Sequence, residues 1–342
     1  MKTKLRWGIL STGRIAGVFA RGVAASQAGQ LAAVGSRTPA AAERFAREFG
    51  VPRAHGTYEA LLEDRGVEAV YVATPHPQHA EWAVRVAQAG KHILCEKPLT
   101  MNHAGAARIA EAARAHGVVL MEAFMYRCHP QTAKVVELIT RGAIGRVGLV
   151  QATFSFHADF DPGSRLWNKA LGGGGVLDVG CYAVSYARLV AGAADGQPFA
   201  NPVRVAGAGL LHPQAGVDAY AAATLQFANG IVAQVACGVG LQQDNSVRIY
   251  GSEGWLHIPA PYQPGLVGRA VIFLYRRGRD APEEIAFDAP PLYALEADAF
   301  AAALAAGRSD VPQMSVADTL GNMAVLDQWR AALGLAYDAD QA

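Results

Sequence analysis

Five short apolar runs, Trp7 to Leu10, Leu31 to Gly35, Ala69 to Ala73, His92 to Cys95 and Val118 to Ala123, alternate with helix-patterned stretches over the first 123 residues. Short apolar runs bounded by polar residues are the pattern of strands buried on both faces of a parallel sheet. Strict alternation of such strands with helices points to a doubly wound α/β sheet. Two of the runs give way to a proline, at Thr74-Pro75 and at Glu96-Lys97-Pro98. A proline brings no N–H to the ladder and holds the residue before it extended, so each strand stops there. The residues at these stops sit at the carboxyl edge of the sheet, where open α/β sheets bind ligands.

Beyond residue 123 the pattern changes. One helix (129 to 141) precedes Val147 to His157, and then Val203 to Leu211, Ala219 to Phe227, Ile231 to Cys237, Ser246 to Tyr250, Gly254 to Ile258 and Ala270 to Tyr275 all have strand character. Ala228-Asn229-Gly230 is a hairpin signal between two of them. Strands without intervening helices predict one large, mostly antiparallel sheet, and two helices (293 to 306 and 316 to 333) follow it. The expected class is therefore α/β plus α+β: a Rossmann-type domain over residues 1–125 and an open-sheet domain over 126–342, with a sheet face available for a homo-oligomer. A chain of 342 residues suits two domains.

Composition excludes some functions. Half the residues are hydrophobic (51%), 17% are charged and the formal net charge is +1, which fits neither disorder nor a nucleic-acid surface. No run approaches about 18 apolar residues, so no membrane span is expected. Met1 to Trp7 lacks the pattern of a signal peptide. Cys95, Cys128, Cys181 and Cys237 are scattered without a C-x-x-C pair, as suits reduced thiols in a cytoplasm.

The first strand runs into Ser11-Thr12-Gly13-Arg14-Ile15-Ala16. Against the dinucleotide fingerprint G-x-G-x-x-G/A, positions 11, 13 and 16 are Ser, Gly and Ala, so the first glycine is replaced. The context fits, with a strand before, a helix opening within, and a second strand at βαβ distance. Gly13 would let the backbone approach a pyrophosphate lying on the N–H groups of the helix start. After the second strand come Ser36-Arg37-Thr38, where a NAD site would carry a carboxylate. A guanidinium can hold a 2′-phosphate through two parallel N–H groups and hydroxyls can add to it, so NADP(H) is expected over NAD. The loop Thr74-Pro75-His76-Pro77-Gln78-His79 is placed to lie beside the nicotinamide. His76 and His79 have no carboxylate or thiol at ligand spacing, so no metal is expected.

The second constellation is Ser164-Arg165-Leu166-Trp167-Asn168-Lys169, then Gly172 to Gly175, then Val176-Leu177-Asp178-Val179-Gly180-Cys181-Tyr182. The glycine run permits a close backbone approach, and a helix begins near Val176. Asp178 and Tyr182 are four apart and share a helical face. An isolated pair of this kind is ordinary helix decoration; after a glycine-rich loop and beside a nucleotide domain it is the best acid/base candidate.

Gly8 to Ala16, Thr74 to His79, Cys95-Glu96-Lys97-Pro98, Met121-Glu122-Ala123 and Gly173-Gly174 through Tyr182 together resemble the Gfo/Idh/MocA oxidoreductases, in the family's order and over nearly the whole chain. Within that family the chain is most similar to the dimeric dihydrodiol dehydrogenase and NADP-dependent D-xylose dehydrogenase branch. The resemblance implies a Rossmann domain with an open antiparallel sheet, dimerisation through that sheet, and NADP with its nicotinamide over the second domain. It makes Lys97, Tyr182 and Asp178 the catalytic candidates, with Tyr182 as general acid/base. Cofactor contacts are expected from Ser11, Thr12, Gly13, Arg14, Ile15, Ser36, Arg37, Thr38, Thr74, Pro75, His76, His79, Glu96, Lys97 and Arg165. Substrate contacts are expected from Arg127, Phe156, Trp167, Asp178 and Tyr182. Two departures are Ser11 for glycine and Lys169 where relatives often have proline, the second without interpretation.

The expected chemistry is hydride transfer between the nicotinamide and the hydroxyl-bearing carbon of an aldose or a cyclic trans-diol. A free phenol titrates at about 10, and a nearby ammonium at Lys97 would favour the phenolate. Two rivals remain open: a sugar-to-sugar oxidoreductase whose NADP never leaves, and a non-catalytic NADP-binding sensor or repressor. Retention of both Lys97 and Tyr182 speaks against the second. Substrate identity, direction and cofactor release are not written in the sequence.

Overall fold

The computed structural model describes residues 4–341, so the first three residues of the stretch Met1 to Trp7 lie outside the described residues. In chain order the first part contains β1 (Leu5–Leu10), α1 (Arg14–Ala25), β2 (Gly29–Gly35), α2 (Pro39–Phe49), β3 (Arg53–His55), α3 (Tyr58–Glu63), β4 (Ala69–Val72), α4 (His79–Gln88), β5 (His92–Glu96), α5 (His103–Ala115) and β6 (Leu120–Ala123). Then come α6 (Pro130–Thr140), β7 (Val147–Ser155), α7 (Cys181–Ala193), β8 (Pro202–Leu211), β9 (Asp218–Phe227), β10 (Val232–Gly238), β11 (Val247–Gly251), β12 (Gly254–Ile258), β13 (Val271–Arg276), β14 (Glu283–Ala286), α8 (Leu292–Ala305) and α9 (Val316–Ala332).

The chain forms two compact units, Met1–Cys128 with Pro290–Leu320, and His129–Ala289 with Gly321–Ala342. The first holds a parallel six-stranded sheet in the order β3-β2-β1-β4-β5-β6. Strand order reverses between β1 and β4, and the crevice outside their carboxyl ends is where such sheets take a ligand. The turn after β1 and the loop after β4 flank that crevice. The division at 125/126 put every later helix in the second domain, whereas α8 lies in the first unit. Phe300 on α8 packs on Trp7, with ring centroids 5.2 Å apart. Asp298 accepts from the Ser26 hydroxyl and from the backbone N–H groups of Gln27 and Ala28 at 3.2 and 2.8 Å. Gly22 of α1 lets α8 approach so closely that a Cβ there would lie 2.4 Å from Tyr293 Cβ.

The second unit holds an eight-stranded sheet in the order β14-β13-β12-β11-β7-β10-β9-β8, antiparallel except where β7 pairs with β10. Strand β9 shows why one face is buried: Ala221, Ala223, Leu225 and Phe227 point inward, alternating with exposed Ala222, Thr224 and Gln226. Helix α7, buried over its whole length, packs on β7 and β10. The stretch Lys169–Ala193 is long and apolar enough to cross a membrane by length and composition, but its apolar 18-residue window is wholly buried in the core of this unit. The opposite face has small and polar side chains, Gln151, Thr153, Ala222, Thr224, Gln234 and Arg248 among them, around an open hollow of about 670 Å³.

Two strands were absent from the sequence reading. Both β3 and β14 are short edge strands of three and four residues carrying Arg53, Glu283 and Glu284. A short edge strand needs no apolar run, since only part of it is buried.

Candidate active site

In the first unit β1 ends at Leu10 and α1 opens at Arg14 with Gly13 as an extended N-cap that makes no side-chain capping bond. The N-terminal N–H groups of α1 therefore point to the crevice without a cap, which favours an anion there. Ser11 adopts φ +104°, the left-handed region that the fingerprint's glycine would supply. Its N–H donates to Gly35 O at 3.0 Å, which fixes the turn to β2, and Thr12 Oγ1 lies 3.3 Å from Ser36 Oγ. A Cβ on Gly13 would meet nothing closer than Ser11 Oγ at 3.9 Å, so open space stands before the turn. Arg14 is exposed and Ile15 half-buried.

At the end of β2, Ser36 is buried and Arg37 exposed. Arg37 borders a cavity of about 350 Å³ with Thr57, Tyr58, Gln78 and Trp82, and it makes no ion pair among the described residues. Glu59 and Glu81 also line this cavity, but each is paired with Arg85 at 2.9 Å. The Thr38 hydroxyl caps α2 by accepting from Ala41 N–H at 3.4 Å.

At the end of β4, Thr74 and His76 are buried, and the Thr74 hydroxyl has no hydrogen-bond partner among the described residues. His79, expected at the cofactor, is instead enclosed within the unit: its ring nitrogens lie 2.7 Å from Thr74 O and 3.1 Å from Pro98 O, tying the two proline-ended loops together. Burial, reinforced by the charge of Lys97, lowers the His79 pKa. Glu96, also expected at the cofactor, turns its carboxylate inward to accept from the Tyr71 hydroxyl. Beside it Glu296 of α8 is fully buried with neither oxygen hydrogen-bonded among the described residues, and burial followed by the Glu96 charge pushes its carboxyl well up. Glu296 escaped the sequence reading because nothing local marks a buried carboxylic acid. Lys97 is half-buried between Glu96 and a cis Pro98. These residues fit a dinucleotide: open space at Gly13, an uncapped helix start, an orphaned Thr74 hydroxyl and an unpaired Arg37.

Arg127, expected to touch substrate, is buried in the first unit in an ion pair with Asp318, and its Nε donates to Gln313 O at 3.0 Å. Its partner lies 191 residues away in the chain, so spacing could not have found it.

In the second unit the segment Val176–Gly180 is a π-helical turn that runs into α7. Asp178 lies in the widened turn and Tyr182 in α7, so their spacing is not that of an unbroken α-helix. Asp178 is buried and its Oδ1 accepts from Arg165 Nη1 at 3.0 Å, while Arg165 itself is half-exposed. Arg165, expected at the cofactor, is thus held by a carboxylate of its own unit. Tyr182 is buried beside Phe154 and Tyr262, with ring centroids at 5.2 and 5.6 Å, and those two rings stack at 4.8 Å. Phe156 is half-buried. Trp167 is buried, and its indole N–H donates to Asp159 O at 2.9 Å. The glycine run closes on the protein itself: a Cβ would lie 2.6 Å from Leu166 O at Gly173 and 2.9 Å from Gly238 Cα at Gly175. Lys97 belongs to the first unit, and Asp178 and Tyr182 to the second. Among the described residues no group of three or more His, Cys, Asp or Glu is arranged to hold a metal ion.

Residues 5–124 match the oxidoreductase family with an NAD-binding Rossmann fold, GFO_IDH_MocA, and residues 132–257 match the GFO/IDH/MocA C-terminal domain. The chain is 31% identical over 342 residues to trans-1,2-dihydrobenzene-1,2-diol dehydrogenase of Mus musculus, covering 98% of this chain and 99% of that one. It is 34% identical over 326 residues to D-xylose 1-dehydrogenase (NADP(+)) 2 of Haloferax volcanii, covering 94% and 95%. Among solved structures, a tyrosine-to-phenylalanine variant of a 3-ketoreductase from Actinomadura kijaniata, in complex with TDP-benzene and NADP, superposes with a TM-score of 0.86 at 30% identity, covering 97% and 98%. With both family domains in series and near-full-length identity above 30%, this chain belongs to the Gfo/Idh/MocA family of oxidoreductases.

Proposed function

We propose that this chain is an NADP(H)-dependent dehydrogenase or reductase acting on a CH–OH group of a sugar such as D-xylose or of a cyclic trans-diol. The observation that carries the reading is the buried Tyr182, packed on Phe154 and Tyr262 in the helix that also carries the Arg165-paired Asp178. NADP supplies or accepts the hydride when bound. Tyr182 exchanges the proton of the reacting hydroxyl. Lys97 stabilises negative charge on the substrate oxygen as it develops, and its ammonium favours the Tyr182 phenolate in the working enzyme. Asp178 orients the remaining hydroxyls, and Arg165 acts through Asp178. Likeness to a cyclic-diol and a D-xylose dehydrogenase supports this substrate range.

The turn Ser11 to Ile15, with Thr74 to His76, holds the dinucleotide. Arg37 holds the 2′-phosphate, supported by its lack of an ion pair and by the neutralisation of Glu59 and Glu81 by Arg85. The bare face of β8 to β11, with Val203, Leu210 and Tyr220 exposed on its edge, receives a second copy, giving a homodimer; light scattering that finds only monomer at micromolar concentration sinks this part. The setting is the cytoplasm, which suits cysteines that form no disulfide among the described residues.

Reduction of NADP against NAD across D-xylose, D-glucose and a trans-dihydrodiol, with Lys97→Ala alongside, tests the reading. Turnover with NADP on one of these, lost in the variant while NADP still binds, is expected. Tight NADP binding without turnover on any of them counts against it.

A further inference from the structure

The mechanism does not use Asp218, which is fully buried at the start of β9 beneath the glycine run. Its Oδ2 accepts from Val176 N–H at 2.7 Å, at the first residue of the π-helical turn that carries Asp178. Its Oδ1 lies against Gly174, where φ is +105° and a Cβ would come within 2.2 Å of that oxygen. The other side of the run is held by Tyr337, whose hydroxyl donates to Gly173 O. Tyr337 is fixed in turn by its N–H to Asp340 Oδ2 at 2.8 Å, with Asp340 gripped by Arg330 at 2.7 and 3.1 Å. Two long-range contacts therefore clamp the four glycines from which the Asp178 and Tyr182 helix departs.

We propose that Asp218 is a positioning residue of the reaction: its ionised carboxylate clasps the turn at Gly174 to Val176 and so sets where Asp178 and Tyr182 stand. This rests on the dehydrogenase reading above. Burial raises this carboxyl and the Val176 N–H pulls it back down, so against a local opening that frees the turn while Asp218 stays buried, the charge-assisted bond is the stronger one and the grip tightens when the proton leaves.

Of Asp218, Cys237 and Tyr337 around the turn, Asp218 is the group that changes charge near neutrality. Burial raises its carboxyl to about 7, against backbone N–H groups, Val176 first, and the Arg330 charge, which hold it down. Cys237 on β10 and Tyr337 are both pushed up by burial and stay neutral there. Arg330 is already matched by Asp340 and Asp327 at 2.7 Å, and Asp178 by Arg165. His212, past the end of β8, stacks its ring on Phe160 at 4.3 Å.

The test is hydrogen exchange of residues 172–182 by mass spectrometry between pH 6 and 8.5, corrected for intrinsic exchange, together with kcat for NADP reduction. In the wild type, protection of this segment is expected to rise about tenfold across pH 7, the difference between a neutral and a charge-assisted bond. In the near-isosteric Asp218→Asn the rise disappears and kcat falls roughly tenfold, while the NADP Kd stays within about twofold, because the turn is looser but the nucleotide half is untouched. Tyr337→Phe loosens the same segment but keeps the pH dependence, so the clasp remains testable if Asp218→Asn fails to fold. Exchange independent of pH in the wild type, or an unchanged rise in Asp218→Asn, overturns the proposal. A wild type inactive on every polyol but with the rise in protection defeats the dehydrogenase reading and supports the clasp.

Discussion

An added Cβ at Gly13 would meet nothing nearer than 3.9 Å, whereas at Gly174 it would fall 2.2 Å from a buried carboxylate oxygen. The two glycines look alike in sequence, each in a turn that opens a helix carrying site candidates. In the first unit the turn faces an open crevice at the sheet's switch point, which is where a ligand's phosphates can approach the backbone. In the second the turn faces Asp218, Leu166 and Gly238 of its own unit. A glycine thus announces a close approach without saying whether the neighbour is ligand or protein.

Replacement separates the two cases. Gly174→Ala must place a side chain at φ +105° and displace Asp218, so it should cost about 4 kcal/mol or more, seen as a large fall in the urea midpoint. Gly13→Ala should change stability by less than about 1 kcal/mol while weakening NADP binding about tenfold, because only the incoming pyrophosphate meets the methyl group. Similar stability losses in both would erase the distinction.

The buried carboxylate of the second turn also has a pH signature opposite in sign to that of a carboxylate in the first unit. Asp218 is raised from 3.8 to about 7, so the folded protein binds its proton more tightly than the unfolded chain does. Against global unfolding, which hydrates the carboxyl, the stability it contributes is full below about pH 4 and is lost as pH rises to 7, on the order of 4 kcal/mol. Asp218→Asn should remove that fall in urea titrations at pH 5 and 8. Asp64 is lowered to about 2: burial opposes the shift, and Arg53, His55 and the Gly66 N–H outweigh it. Its contribution is present above about pH 4 and is lost as pH falls towards 2; in its half-open site Asp64→Asn should cost about 1 kcal/mol at pH 7 and little at pH 2.5.

Arg37 offers a test confined to the first unit. Arg37→Ala should raise the NADP Kd roughly 30-fold, about 2 kcal/mol, with NAD binding and thermal stability unchanged. Equal weakening of both cofactors would place Arg37 away from the 2′-phosphate.

The first unit was largely legible in the sequence because strands buried on both faces have to be apolar runs, and proline marks where two of them stop. Ser11 fits the glycine position by taking positive φ, which no spacing rule records. Less legible was anything set by partners distant in the chain. Arg127 looks like a binding arginine until Asp318 is seen beside it, and α8 looks like part of a terminal pair until Asp298 and Phe300 are seen on the first unit. The π-helical turn hides inside an ordinary helical pattern, since its residues satisfy an α-helix equally well. Glu96 and His79 stand at the expected strand ends, but their side chains turn inward to Tyr71 and to the Thr74 and Pro98 carbonyls. Position in the chain predicted the strand end and could not predict the rotamer.

The central proposal is that Lys97 and Tyr182 act on one substrate oxygen. Its most direct test is a double-mutant cycle on kcat/KM with NADP and the best polyol, using Lys97→Met, Tyr182→Phe and both together. Each single variant should lose roughly 10²- to 10⁴-fold, and the double variant should be little worse than the more damaged single one, since residues acting as a unit are non-additive. Losses that multiply would show two groups working independently and would contradict the account.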